Sequence, residues 1–222
     1  IPDPAYLAYP ACVSIAHGVP VLVPTYAKDE FRLTVEELEK KVTPKTKAIL
    51  IGYPNNPTGT IMDRASLEKV AAFAKAHDLI VIADEIYCDL TYEGQHTCFA
   101  SLPDMQERTI VLNGFSKSYA MTGLRIGYVC APREALEEIY KVHQYEILCA
   151  STTSQYGAIE ALRNCDDDVK AMYEEYAARR EMIYQGLVDI GLTVFKPKGA
   201  FYIFPDISCT GMDEEEFCDR LL

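Results

Sequence analysis

Residues 64 to 77, RASLEKVAAFAKAH, carry apolar side chains at Leu67, Val70, Ala71 and Ala74 with charges between them, the spacing of an amphipathic helix. Short apolar runs flank this segment, KAILIGYP at 47–54 and LIVIADEIY at 79–87, the second broken only by Asp84 and Glu85. Their length and β-branched content predict buried strands. TIVLNG (109–114) and IGYVCA (126–131) predict two more, and GVPVLVP (18–24) an earlier one. DPAYLAYPACVSIAHG reads as a turn followed by a helical segment. VEELEKKV reads as a short amphipathic helix, with Thr34 as its N-cap and Glu37 at capping-box spacing. From Arg133 to Gly186 the pattern is helical in three stretches, EALEEIYKVHQY, SQYGAIEALRN and DVKAMYEEYAARREMIYQGL. TVFKPKGAFYIFPDI then changes to short strands around a Pro and Gly break, and MDEEEFCDRLL starts a last helix.

Strands alternating with helices at this spacing predict an α/β fold, a mostly parallel sheet sandwiched by helices. The reading divides the chain into a large domain over 1–190, with a long connecting helix near 168–186, and the beginning of a smaller α+β domain over 191–222. In such sheets ligands collect at the carboxyl ends of the strands. Asn56 follows one strand in the turn NNPTG, Asp84 ends the next, and Lys117 follows a third.

Composition narrows the partners. A net charge of −12 without any Lys/Arg cluster argues against a nucleic-acid or anionic membrane surface, which leaves small molecules. No apolar run approaches the roughly 20 residues that a membrane helix needs. The eight cysteines (12, 88, 98, 130, 149, 165, 209, 218) form no CxxC pair, and several lie in apolar runs. Buried reduced thiols, a cytoplasmic location and no metal site are expected. The chain opens at IPDP without Met and stops at FCDRLL, inside a helical pattern, so it reads as a fragment of a longer protein.

A lysine beside a parallel sheet can be solvated, contact a phosphate or anchor a ligand covalently. An aldehyde cofactor such as pyridoxal phosphate needs a lysine amine, an acid to keep its pyridine nitrogen protonated, and donors for its phosphate and phenolic oxygen. Asp84 suits the acid role, because a carboxylate at the end of a buried strand pays desolvation unless a cation answers it. An arginine partner or a helix cap would answer it too. Tyr87 and Asn56 could donate to the phenolic oxygen, with core packing and turn formation as their plain alternatives. Arg125 offers a guanidinium fork for phosphate, or a surface ion pair, and Ser116 a hydroxyl beside the lysine. Gly123 and Gly127 flank Arg125 and would let backbone approach a ligand. Tyr6 could stack on the ring or simply pack.

Taken in order, NNPTG (55–59), ADEIY (83–87) and SK followed by MTGLRIGY (116–128) resemble the signatures of class I/II aminotransferases, the fold type I pyridoxal-phosphate enzymes. PAYLAYP before them and KGAFYIFPDI after them are also similar to that family, so the resemblance spans the chain. It implies that Lys117 is the Schiff-base lysine and acts as base, Asp84 the pyridinium partner, Tyr87 and Asn56 the phenolate donors, Arg125 the phosphate arginine and Tyr6 the stacking aromatic. Ser116 precedes the lysine, but the family's phosphate serine stands three positions before it, where this chain has Gly114. Leu124 replaces a common tryptophan. A glycine-containing phosphate loop upstream and a substrate-carboxylate arginine downstream are not found. If this segment is the whole molecule, weak cofactor binding and little turnover are expected. The resemblance further implies an amino acid and a 2-oxo acid as substrates and a homodimer. A carbon-sulfur β-lyase and a catalytically silent sensor domain share the same signatures, and the identity of the amino acid stays open.

Overall fold

The computed structural model describes residues 1–222. Two short strands, β1 (Pro2–Asp3) and β2 (Val23–Pro24), pair in parallel and enclose helix α1 (Ala8–Ile15). The expected strand over 18–24 is therefore two residues long. Val23 is buried, whereas Val19 is 84% exposed. Pro20 has no amide to give to a ladder, and pairing is confined to the end of the run.

Helix α2 (Val35–Glu39) starts as the capping box predicts, with the Thr34 hydroxyl accepting from the Glu37 amide. The central sheet follows. Strands β3 (Ala48–Gly52), β4 (Ile80–Asp84) and β5 (Thr109–Gly114) run parallel, and β6 (Gly127–Cys130) closes on β5 antiparallel, in the order β3-β4-β5-β6. Between β3 and β4 lies α3 (Arg64–Ala76), N-capped by Asp63, with Leu67, Val70, Ala71, Phe73 and Ala74 buried. Its apolar stripe packs with Ile49, Ile51, Val81 and Ala83 in a core cluster of 18 buried residues that also holds Phe99, Leu102 and Met105.

Register places Gly52 opposite Asp84 and Asp84 opposite Leu112, so the carboxyl ends of three parallel strands are level. The faces of the sheet are unequally covered. Val81 and Ala83 are buried, while Ile80 on the alternate set is 45% exposed and Ile82 and Asp84 are partly so. Strand alternation thus separates two adjacent acids. Glu85 turns to the core, where its carboxylate accepts from the Phe99 amide at 2.8 Å and meets His96 Nε2 at 2.9 Å. Asp84 stays on the open face.

Helices α4 (Arg133–Glu146), α5 (Thr152–Asn164) and α6 (Asp166–Asp189) fill the predicted helical region. Helix α5 buries Ala158 and Ala161 against Phe115. Strands β7 (Thr193–Val194) and β8 (Pro205–Asp206) pair antiparallel, and α7 (Glu214–Leu221) follows. No helix is long and apolar enough to cross a membrane.

The expectation of buried thiols fails. All eight cysteines are free, but Cys12, Cys130, Cys149, Cys209 and Cys218 are exposed and the other three are intermediate. Cys130 lies on the edge strand β6, whose outer side no other strand of this chain covers.

Phe99, 1% exposed beneath the sheet, is the largest fully buried side chain. Phe99→Ala is expected to cost about 3–5 kcal/mol in chemical denaturation. Val142→Ala, on an exposed face of α4, is expected to stay within about 0.5 kcal/mol of wild type.

Candidate functional site

Beyond β3 the turn NNPTG is built by its own first residue. Asn55 is buried, donates from Nδ2 to the Gly52 carbonyl and accepts at Oδ1 from the Thr58 amide and hydroxyl. Asn56 is left to project from the turn, where Nδ2 donates to the Tyr202 hydroxyl at 3.2 Å. Gly59 has φ +69, and a Cβ there would meet Pro197 at 2.3 Å, so the 197–202 segment docks directly on the turn.

After β4 the chain turns at Glu85–Cys88 and buries Tyr87, whose hydroxyl lies 2.6 Å from that of Tyr202. Burial pushes the Tyr87 phenol above its ordinary pKa, with the Tyr202 hydrogen bond next in effect, so Tyr87 keeps its proton.

After β5 Phe115 anchors the lysine loop in the α5 cluster, and the Ser154 hydroxyl donates to the Leu124 carbonyl at 2.6 Å. Lys117 Nζ sits 5.8 Å from the Tyr87 ring centroid and 5.5 Å from that of Phe201. Thr122 donates to the Ser116 carbonyl at 2.7 Å, and Arg125 Nη1 to the Thr122 carbonyl at 2.9 Å. Arg125 is a left-handed residue, φ 51, at the end of this turn.

The flanking glycines act differently from expectation. A Cβ on Gly123 would meet nothing within 4 Å, and one on Gly127 would meet the Asn113 carbonyl at 2.8 Å. Gly127 thus lets β6 approach β5 rather than a ligand. A Cβ on Gly114 would lie 2.8 Å from the Gly127 Cα. Any larger residue three positions before Lys117 would push β6 away, which gives a physical reason for glycine there.

All seven residues singled out in the sequence line one cavity of about 490 Å³: Lys117, Asp84, Tyr87, Asn56, Arg125, Ser116 and Tyr6. Asp84 accepts from the Tyr9 hydroxyl at 2.7 Å and from the Ile86 amide at 3.1 Å. Burial raises its pKa, and these two hydrogen bonds oppose the rise. Tyr6 is half exposed and meets Tyr9 edge-on at 5.6 Å.

The family model for aminotransferases of class I and II matches residues 1–222. The chain belongs to the class I and II aminotransferases. It is 48% identical to an aspartate aminotransferase of Pyrococcus abyssi and 46% identical to an aromatic-amino-acid aminotransferase of Thermococcus litoralis, in each case over the whole chain and 58% of the relative. The chain therefore spans under two thirds of those relatives' length. A solved aromatic aminotransferase of Pyrococcus horikoshii superposes with a TM-score of 0.95 at 47% identity, covering 97% of this chain and 59% of that one.

Pyridoxal phosphate, the cofactor of this class of aminotransferases, fits the donor set. The cavity wall offers a carboxylate that burial has left without a cationic partner, a hydroxyl and an amide as donors, a lysine amine and a guanidinium fork.

Two aromatic residues of this site escape sequence reasoning. Tyr9 was visible only as a tyrosine one helical turn after Tyr6, and its reach to Asp84 depends on Gly52, where a Cβ would fall 2.6 Å from the Tyr9 hydroxyl. Tyr202 lies in KGAFYIFPDI, 115 residues from Tyr87, and only docking on the NNPTG turn brings it in.

Asp84 gives a pH signature. A carboxyl whose folded pKa exceeds its unfolded value near 3.8 favours the fold most below that value, and the advantage is lost as pH rises through the folded pKa. Urea midpoints of the cofactor-free protein, from about pH 3.5 to 7, are expected to fall for wild type relative to Asp84→Asn. In a Tyr9→Phe background that fall should move to higher pH, because an opposing hydrogen bond is gone. A pH-independent difference would refute the assignment.

Proposed function

We propose that the protein to which this chain belongs moves an amino group between an amino acid and a 2-oxo acid, with pyridoxal phosphate anchored at Lys117. The observation that carries this reading is the convergence of Lys117, Asp84, Tyr87 and Asn56 on one cavity in an aminotransferase fold. When bound, pyridoxal phosphate supplies an aldehyde for the lysine amine and a pyridinium ring that accepts the electron pair left at the substrate Cα.

Lys117 would then serve as the base that takes the substrate Cα proton and returns it two atoms along, at the carbon that carried the cofactor's aldehyde oxygen. The Tyr87 and Phe201 rings, packed edge-on against each other, wall one side of the amine. Asp84 holds the proton at the pyridine nitrogen, and Tyr9 and the Ile86 amide hold Asp84. Tyr87 and Asn56 donate toward the phenolic oxygen. Arg125, supported by Ser116, binds the phosphate, and Tyr6 packs on the ring.

Residues 1–190 are taken as the cofactor domain and 191–222 as the opening of a second one, a division supported by the turn at Gly191, φ 90, ahead of the β7–β8 pair. Relatives named for aspartate and for aromatic amino acids make these the first substrates to try. A homodimer is proposed from family membership, and a cytoplasmic location from eight unpaired thiols.

Borohydride reduction of the cofactor-loaded full-length protein, followed by peptide mapping, is expected to place the label on Lys117. Lys117→Ala should lose both the label and about 10²–10⁴-fold in transamination of aspartate or phenylalanine. A label on another lysine would overturn the reading, and keto-acid release without an acceptor would favour a lyase.

Arg125→Gln removes one charged fork from the phosphate. It should weaken cofactor binding about 10–100-fold in equilibrium dialysis while leaving the labelled lysine unchanged.

A further inference from the structure

Tyr202 enters the site from outside the sheet, and its hydroxyl stands between two residues assigned to one oxygen of the cofactor. Asn56 Nδ2 donates to Tyr202 Oη at 3.2 Å, and Tyr202 Oη lies 2.6 Å from Tyr87 Oη. We propose that Tyr202 is a positioning residue that fixes the direction of donation along Asn56, Tyr202 and Tyr87, and so tunes the acidity of the bound cofactor. The proposal rests on the reading of Lys117 and its cavity as the pyridoxal-phosphate site.

Proton counting sets the direction. An amide N–H only donates, so Asn56 fills a lone pair of Tyr202. A phenolate only accepts, so a Tyr87 facing it must turn its single proton toward it. Burial keeps that proton on Tyr87. The contact of 2.6 Å then has one arrangement left, in which Tyr202 donates and Tyr87 accepts. Each donor polarises the next, and the chain delivers a stronger donor to the phenolate than Tyr87 would be alone.

The position of Tyr202 is built rather than incidental. The Lys198 and Gly199 amides both donate to the Gly59 carbonyl at 2.9 Å, and the Ala200 amide to the Leu90 carbonyl at 2.8 Å. Gly199 has room for no Cβ, since Pro54 would lie 2.6 Å away. Phe201 meets the Tyr87 ring edge-on at 5.2 Å and stacks on Tyr176 at 5.4 Å. The segment is thus clamped to the loops after β3 and β4, whose tips carry Asn56 and Tyr87.

A hydrogen bond donated to the phenolic oxygen draws negative charge off it and weakens its hold on the proton of the neighbouring lysine-bound nitrogen, which is then released at lower pH. Weaker donation by Tyr87 must therefore raise the pH at which the bound cofactor changes colour.

The test is a spectrophotometric pH titration of the full-length protein loaded with pyridoxal phosphate, with Tyr202→Phe, Tyr87→Phe and the double variant. Tyr202→Phe keeps the ring and should raise the spectral midpoint by about 0.4–1 pH unit. Tyr87→Phe should raise it further, and the double variant should match Tyr87→Phe within about 0.2 unit, because Tyr202 acts through Tyr87. An unchanged or lowered midpoint in Tyr202→Phe would overturn the proposal, as would a shift that adds in full to that of Tyr87→Phe. Loss of cofactor binding in Tyr202→Phe would make the residue structural and overturn it too. A wild-type protein labelled on a lysine other than Lys117 would instead sink the reading of the site, and this proposal with it.

Discussion

A partly buried carboxylate at the end of β4 governs the arrangement around it. Strand alternation gives Asp84 to the open face of the sheet and Glu85 to the core, so the two acids meet different fates. Glu85 is answered within the fold by His96 and a backbone amide. Asp84 is answered only by neutral donors, Tyr9 and the Ile86 amide, and burial leaves its charged form disfavoured. That uncompensated charge is what a pyridinium would satisfy. On the proposed reading the fold would carry that cost in the cofactor-free state and recover it on binding, a linkage that would tie stability to occupancy.

The supports of this carboxylate depend on absent side chains. Gly52 leaves the room through which the Tyr9 hydroxyl reaches Asp84, and Gly114 and Gly127 let β6 press against β5 where the lysine loop begins. Helix α5 then pins that loop through Phe115 and Ser154. Level strand ends bring the loops after β3, β4 and β5 to one place, and the 197–202 segment ties the first two together. Rigid backbone thus carries the polar groups, as a preorganised site requires.

Away from the cavity the surface is more apolar than the core alone would lead one to expect. Tyr140, Val142 and Tyr145 on α4, Leu7 and Ile15 around α1, and Tyr128 on β6 are exposed. The same openness explains the thiols. Apolar neighbours in sequence predict burial only where another layer covers the strand, and β6 lies at the edge of the sheet.

Local chemistry determined much of this molecule. The period of 64–77, the cap at Thr34 and the β-branched runs gave the helices and parallel strands within a few residues, because those signals are short-range. Ordered motifs brought Lys117, Asp84, Tyr87, Asn56, Arg125, Ser116 and Tyr6 to attention, and each falls after a strand or beside a turn, where sheet topology gathers loops. Tertiary structure alone decided what those residues touch. Tyr9 beside Asp84, Tyr202 between Asn56 and Tyr87, and the exposure of 18–22 and of Cys130 all depend on contacts across long stretches of chain. Residue type and spacing cannot encode these contacts, since they arise from which backbone layers approach and which glycines let them.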